Sequence, residues 1–315
     1  MAKIVAMAIV LLAAVAGCTL PRPPGDGPLR YRDPVFSSAT VSTNITYGSA
    51  PDNSGNPVAL QLDLYRPAGD TVARRPVVVW VHGGGFAAGD KASGRNFATY
   101  FARRGYVAAS INYRLLAAPG CGGNPDPTPE CERAAEAAQH DAQAAVRWLR
   151  ANAAFLGVDP SRIAMAGSSA GAITSLLTAW RPEDPGTSGN PGPSSAIRAA
   201  VSIAGGTPTN EYITAGDAPA IFFHGTQDRT VFYAWAVSNA GAMYNLRIPV
   251  VLQSFQGAGH GLVEQGFGDV IYEQASYFLY GMLDLARAEG QPAAAARAVA
   301  PYERRLRAAY PEFAR

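Results

Sequence analysis

Short apolar runs rich in β-branched residues recur along the chain and alternate with stretches of helical spacing. Two early runs, at 40–47 and 59–65, alternate apolar and polar positions, which predicts an antiparallel pair of strands. Later runs are continuously apolar, which predicts strands buried on both faces; they lie at 77–81, 107–111, 163–166, 199–203, 220–224 and 250–255. Because helical segments separate them, the pattern predicts an α/β fold, with a mostly parallel central sheet and helices on both faces.

Apolar residues at helical spacing predict the segments between the strands. The expected helices lie at 95–104, 132–156, 170–180, 232–246 and 267–286. A last Ala/Arg-rich segment, 287–315, predicts a C-terminal helix that packs on the body, with a partner-binding helix as the alternative. We expect 37–315 to form one domain without a second core or a large N-terminal cap.

The first residues have the pattern of an export signal. Lys3 precedes an apolar run that is too short to span a bilayer. The run ends in Val15-Ala16-Gly17-Cys18, which resembles the lipobox of bacterial lipoproteins, whose cysteine is lipidated and becomes the mature N-terminus. This resemblance implies a signal peptide at 1–17, lipidation of Cys18, and an exported protein anchored in the cell envelope through lipid. An ordinary secretion signal and a buried first helix are the alternatives.

Composition and charge indicate which binding partners and which cellular compartment to expect. Residues 18–36 are rich in Pro and Gly and predict a flexible tether. A formal net charge of +2 gives no basis for a nucleic-acid partner, and the oligomeric state stays undetermined. Beyond Cys18 the chain has one pair, Cys121 and Cys131, which an exported protein can oxidise to a disulfide; two free thiols are the alternative. No motif for a metal or an organic cofactor stands out, so we expect neither.

Two glycine-rich strings carry the candidate chemistry. Gly167-Ser168-Ser169-Ala170-Gly171 follows a predicted strand and opens a predicted helix, and it matches the G-x-S-x-G turn that exposes a nucleophilic serine. His82-Gly83-Gly84-Gly85-Phe86 follows an earlier strand and offers small residues whose N–H groups can approach an oxyanion. Acyl transfer needs both parts, so together they predict a hydrolase with Ser169 as its nucleophile.

A serine hydroxyl needs a base, which is usually histidine. We choose His260, in a glycine-rich loop after the last strand, over the other three histidines, which are His82, His140 and His224. The chain order Ser, then acid, then His leaves several carboxylates between 169 and 260: Glu183, Asp184, Glu211, Asp217 and Asp228. Asp228 is preferred because it follows a strand directly, with helix capping as its structural alternative.

These strings, together with Asn112-Tyr113-Arg114 and His224-Gly225-Thr226-Gln227-Asp228, resemble the α/β-hydrolase superfamily over about residues 55–285. The similarity is strongest to the H-G-G-G carboxylesterases, including the hormone-sensitive-lipase-like and the small feruloyl- and acetyl-esterase-like branches. It implies an oxyanion hole formed by the N–H groups of Gly84, Gly85 and Ala170, with no metal and no cofactor. Unlike many lipase-like members, this chain shows no helical cap before the glycine loop.

The resemblance implies a carboxylic-ester hydrolase that acts through a Ser169-Asp228-His260 triad and an acyl-enzyme. The expected substrates are small-molecule or polysaccharide esters with short-chain, small aromatic or acetyl groups. A serine peptidase and a catalytically silent envelope binding protein are the alternatives. Five aromatic residues either line the substrate pocket or pack in the core: Trp80, Phe86, Tyr113, Tyr233 and Trp235.

Overall fold

An eight-stranded sheet organises the protein in a computed structural model that describes residues 19–116 and 121–288. In chain order the strands are β1 (Ala39–Pro51), β2 (Pro57–Pro67), β3 (Arg75–Val81), β4 (Val107–Ile111), β5 (Val158–Ser168), β6 (Ala200–Ile203), β7 (Ala220–Gly225) and β8 (Val250–Phe255). Their order in the sheet is β1-β2-β4-β3-β5-β6-β7-β8. The β1–β2 and β2–β4 pairs are antiparallel and the other pairs are parallel, which confirms the predicted α/β fold.

The helices connect the parallel strands. They are α1 (Arg95–Ala102), α2 (Pro129–Ala151), α3 (Ala153–Leu156), α4 (Ala170–Trp180), α5 (Tyr233–Asn245), α6 (Gly268–Met282) and α7 (Leu285–Ala288). The single helix predicted over 132–156 is wrong in one respect. Asn152, at φ −98° and ψ 15°, leaves the helical conformation and separates α2 from α3. Helix α3 then ends at Gly157, whose left-handed conformation favours glycine.

Burial explains why the central strands have continuous apolar patterns. All seven residues of β3 and all five of β4 are buried, so neither face of these strands meets water. On the sheet, α2 packs with α4, and α1 packs with α6. The apolar side chains of strands and helices join in one contiguous cluster, which forms the rigid support for the loops at the sheet edge.

The order of the strands places a crevice at one edge of the sheet. From β3 the chain crosses to β4 on one side, and it then returns to β5 on the other side of β3. Such a reversal of direction opens a crevice at the carboxyl ends of the strands, where α/β proteins bind their ligands. The loops that follow β3 and β5 are the glycine loop and the serine turn, so both candidate motifs lie at this position.

The segment after residue 18 is not the flexible tether predicted over 18–36. Leu20 and Tyr31 are buried, and the N–H of Leu20 donates to the side chain of Gln274 on α6. The guanidinium of Arg32, itself buried, donates to three backbone carbonyls in the same segment: those of Pro23, Gly25 and Gly27. Proline and glycine content predicted flexibility, but burial of apolar side chains and satisfied hydrogen bonds fix the segment on the body.

Several predictions concern residues outside the described ranges. They are the signal peptide at 1–17, the lipidation of Cys18 and the predicted C-terminal helix 287–315 beyond its first two residues, which belong to α7. Among the helices that the structure describes, none combines the length and the apolar character that crossing a membrane requires.

Candidate active site

The serine turn is strained and contains two glycines at positions where the backbone leaves no space for a Cβ atom. Ser169 lies between β5 and α4 with φ 56° and ψ −122°, a conformation that costs a non-glycine residue about 1–3 kcal/mol. A Cβ atom on Gly167 would lie 2.2 Å from the carbonyl oxygen of Gly171, and one on Gly171 would lie 2.1 Å from that of Val81. The two glycines therefore permit the sharp turn that the G-x-S-x-G pattern predicts.

Three side chains predicted from the sequence meet at the carboxyl edge of the sheet. The Oγ atom of Ser169 lies 2.8 Å from Nε2 of His260, and Nδ1 of His260 lies 2.7 Å from Oδ2 of Asp228. These residues follow β5, β8 and β7, which point the same way in the sheet, so their loops reach one place. The His260 side chain is 26% exposed and that of Asp228 is fully buried, so the base faces solvent and the acid does not.

The carboxylate of Asp228 is held on both oxygens. Its Oδ1 accepts the N–H groups of Thr230 and Val231 at 2.8 and 3.0 Å. Its Oδ2 accepts from His260 and also lies 3.2 Å from Nε2 of His224. Burial alone would raise the pKa of Asp228, but the hydrogen bonds from the two histidines outweigh burial and lower this pKa well below its ordinary value. The group is therefore an anion at neutral pH, and it caps the turn before α5 as well as facing His260.

The glycine loop lies directly against the serine. A Cβ atom on Gly83 would lie 3.2 Å from the Cβ of Ser169. Gly84 and Gly85 have φ values of +116° and +61°, which suit glycine. Within the described residues, no hydrogen bond uses the N–H of Gly84 or Gly85, and Ala170 is the first residue of α4, where an N–H has no partner inside the helix. The three amides of the predicted oxyanion hole are thus available to a ligand.

The histidine that begins the glycine loop supports the loop. His82 is buried, and its ring stacks on Tyr113 with the centroids 4.3 Å apart. Its Nδ1 lies 2.7 Å from the carbonyl oxygen of Gly83, which requires a hydrogen on Nδ1. Burial lowers the pKa of His82, which favours the neutral ring. Through these contacts His82 orients the backbone of the glycine loop.

The loop that carries Cys121, before α2, lies beside the acid turn. Cys121 and Cys131 are joined by a disulfide. The N–H of Gly123 donates to the carbonyl oxygen of Thr230 at 2.9 Å, two residues after Asp228. Residues 181–194, which are also rich in Pro and Gly, pack on α2. The buried Arg147 of α2 donates to three carbonyls of this stretch, those of Pro185, Gly189 and Asn190.

The remaining sequence candidates are distributed between the core and the surface. Trp80, Phe86 and Tyr113 are buried, whereas Tyr233 and Trp235 at the start of α5 keep exposed area.

The ligand atoms of Glu136, His140 and Asp184 lie within 4.8 Å of one another, as in a metal site. The guanidinium of Arg181 already pairs with both carboxylates of this group.

His224 is the residue of this site that the sequence reasoning did not assign. Its side chain is fully buried and lies on the far side of Asp228 from Ser169 in the hydrogen-bonded series. The available signal was the i, i+4 spacing between His224 and Asp228, within the string His224-Gly225-Thr226-Gln227-Asp228.

Comparison with known proteins relates the fold to that of solved esterases. The BD-FAE family model matches residues 62–207, which include the glycine loop and the serine turn. Esterase 2 of Thermogutta terrifontis phosphorylated by paraoxon is 30% identical, with a TM-score of 0.60, and the match covers 81% of this chain and 94% of the esterase. The butyrate-bound form of that esterase is 28% identical with a TM-score of 0.61, covering 83% and 96%.

Curated relatives agree over a shorter region. Phenmedipham hydrolase of Pseudarthrobacter oxydans is 38% identical over 141 residues, which are 44% of this chain and 26% of the hydrolase. The match therefore spans about a quarter of the length of that relative. The solved esterase structures, in contrast, are covered over almost their whole length. The chain belongs to the α/β-hydrolase family of carboxylesterases.

Proposed function

We propose that this protein is a serine carboxylesterase that hydrolyses small esters through an acyl-enzyme on Ser169. The observation that carries the proposal is the hydrogen-bonded series from Ser169 through His260 to Asp228, at 2.8 and 2.7 Å, beside backbone amides that have no acceptor among the described residues. A nucleophile, a base and an orienting acid in this relation are what acyl transfer requires.

In the first step, Nε2 of His260 takes the proton of Ser169 as the serine oxygen attacks the ester carbonyl. The oxyanion that forms accepts hydrogen bonds from the N–H groups of Gly84, Gly85 and Ala170, and each such donor is worth about 10²–10³ in rate. The Asp228 carboxylate holds His260 with a hydrogen on Nδ1 and stabilises the imidazolium. The alcohol leaves with the proton that His260 acquired, and the acyl group stays on Ser169.

In the second step, water replaces the alcohol. His260, which is partly exposed to solvent, removes a proton from that water as it attacks the acyl-enzyme. The same three amides hold the second oxyanion. Ser169 then recovers its proton from His260, and the acid is released.

The proposed substrates carry short acyl groups, with small aromatic and acetyl esters, including those on polysaccharides, as further members of the class. The similar esterase 2 binds butyrate, which supports a short acyl chain. In the described residues before the glycine loop, the chain forms the docked segment and the strands β1 and β2 rather than a helical cap. The partly exposed side chain of His260 supports access of small esters from solvent.

A fluorophosphonate probe and a panel of p-nitrophenyl esters test the proposal. An organophosphorus probe suits the site because the similar esterase 2 is phosphorylated by paraoxon. The native protein should be labelled and should turn over acetyl, butyryl and feruloyl esters, while Ser169→Ala should lose labelling and turnover yet keep its melting temperature. Ser168→Ala, the neighbouring serine, is the matched control and should keep both. Turnover by Ser169→Ala, or peptides preferred to esters in the same panel, would overturn the assignment.

We further propose that the protein is exported and held in the cell envelope through lipid on Cys18. The string Val15-Ala16-Gly17-Cys18 supports this proposal. Two acyl chains or more would anchor the protein stably, whereas one would bind a membrane only marginally. Mass spectrometry of the protein isolated from membranes should find Cys18 as the N-terminal residue, with added acyl mass. A mature protein that begins elsewhere, or that carries no added mass, would contradict it.

A further inference from the structure

His224 is a fully buried histidine that touches the acid of the site. It is the fifth residue of β7, and its Nε2 lies 2.9 Å from the carbonyl oxygen of Val231 and 3.2 Å from Oδ2 of Asp228. Val231 in turn donates its N–H to Oδ1 of Asp228. Val231 therefore contacts one oxygen of the carboxylate, Oδ1, while His224 contacts the other, Oδ2.

The hydrogen-bond partners settle which nitrogen of His224 carries the hydrogen. The carbonyl of Val231 can only accept, so Nε2 is the donor. Nδ1 is buried and has no partner among the described residues. Because a buried N–H without an acceptor is costly, we place no hydrogen on Nδ1. The Nε2–H therefore lies between two acceptors, the Val231 carbonyl and the Asp228 carboxylate.

Two histidines contact the same carboxylate oxygen, but they differ in their contact with the nucleophile and with solvent. His260 is in contact with Ser169 and is partly exposed, whereas His224 has no exposed side-chain area and contacts Asp228. Both rings contact Oδ2, at 3.2 Å from His224 and 2.7 Å from His260, so a movement of the carboxylate away from His224 would change the distance between Oδ2 and His260.

We infer that His224 is a positioning residue for the triad, which fixes Oδ2 of Asp228 so that this oxygen stays on Nδ1 of His260. The inference rests on the proposed function of the site. It assigns no proton transfer to His224. Its hydrogen bond also disperses negative charge of the carboxylate, in agreement with the lowered pKa of Asp228. A bulky apolar side chain in its place would leave Oδ2 with one donor instead of two and free the carboxylate to rotate.

The test compares three variants with the native enzyme on p-nitrophenyl butyrate. Replacing the triad carboxylate by an amide lowers kcat about 10⁴-fold in serine proteases. His224→Leu removes only one of the four donors to the Asp228 carboxylate, so we expect a smaller loss, about tenfold in kcat, with KM little changed. His224→Gln, whose amide NH2 can reach the place of Nε2, should recover most of that loss. His140→Leu is the matched control, because Nε2 of His140 also lies 3.2 Å from a carboxylate oxygen, that of Asp184 on the surface, and it should leave kcat unchanged.

Two measurements separate positioning from general loss of structure. Titration of active sites with the fluorophosphonate counts the competent molecules, and kcat is expressed per competent site. The downfield proton resonance of Nδ1–H in His260 should shift or broaden in His224→Leu and return in His224→Gln. A kcat per competent site within twofold of native in His224→Leu overturns the inference. So does an unchanged resonance, or a folded His224→Gln that recovers nothing. If the native enzyme hydrolyses no ester, or Ser169→Ala remains active, the proposed function fails instead.

Discussion

Replacing Asp228 by asparagine should remove almost all ester hydrolysis through the exchange of one oxygen for an NH2 group. The amide oxygen of the new side chain can still accept the N–H groups of Thr230 and Val231, which Oδ1 accepts in the native protein. The NH2 group then points to where Oδ2 accepted from His260. Because a donor cannot pair with a donor, the ring of His260 must change.

The magnitude follows from the state that His260 is forced to adopt. Its hydrogen moves from Nδ1 to Nε2, so that Nδ1 can accept from the amide. Nε2 lies 2.8 Å from Oγ of Ser169, and once it carries a hydrogen it cannot take the serine proton. We expect kcat to fall about 10³–10⁴-fold, the size of the same change in serine proteases, which is about 4–5.5 kcal/mol of barrier.

The assay is kcat and KM on p-nitrophenyl butyrate, with the melting temperature as a check on folding. Asp217→Asn is the control: Asp217 was also a candidate acid from its place in the sequence, but it precedes β7 and bonds to Thr214 in an exposed turn. This variant should keep full activity. A folded Asp228→Asn enzyme within tenfold of native kcat, or a loss confined to Asp217→Asn, would refute the reasoning.

Three further predictions concern stability. Replacing Cys121 and Cys131 together by serine should lower the free energy of unfolding by about 3 kcal/mol, measured by urea titration, because the open loop restores chain entropy to the unfolded state; reductant should have the same effect on the native protein and none on the variant. Burial alone would raise the pKa of Asp70, but hydrogen bonds from two arginines lower it from 3.8 to about 2. Its contribution, about 2 kcal/mol, is therefore present above pH 4 and lost as the pH falls towards 2, so Asp70→Asn should flatten the loss of stability in that interval. Leu20→Ala should cost about 2–3 kcal/mol if the N-terminal segment is docked as described, whereas a free tether would show no change in the same titration.

The local pattern of apolar and polar residues was enough to locate the strands and the helix that position the site residues. Continuous apolar runs identified the central strands, because a strand covered on both faces has little area in contact with water and is therefore mostly apolar. The predicted helix 170–180 agrees with α4 at both ends. The choice of Asp228 over the other carboxylates needed chain order and the strand that directly precedes it, which ends at the carboxyl edge.

Contacts between distant parts of the chain decided what the pattern left open. Whether Asp228 capped a turn or faced a base depended on the meeting of loops after β7 and β8, and it does both. The second histidine on that carboxylate, the docking of Leu20 on α6 and the end of α2 at Asn152 were not predicted. By itself, the sequence determined the α/β class, the strands and the strained serine turn, since periodicity and backbone sterics act over a few residues. Only the tertiary structure decided which buried polar groups meet, because the partner of such a group depends on the order of the strands in space.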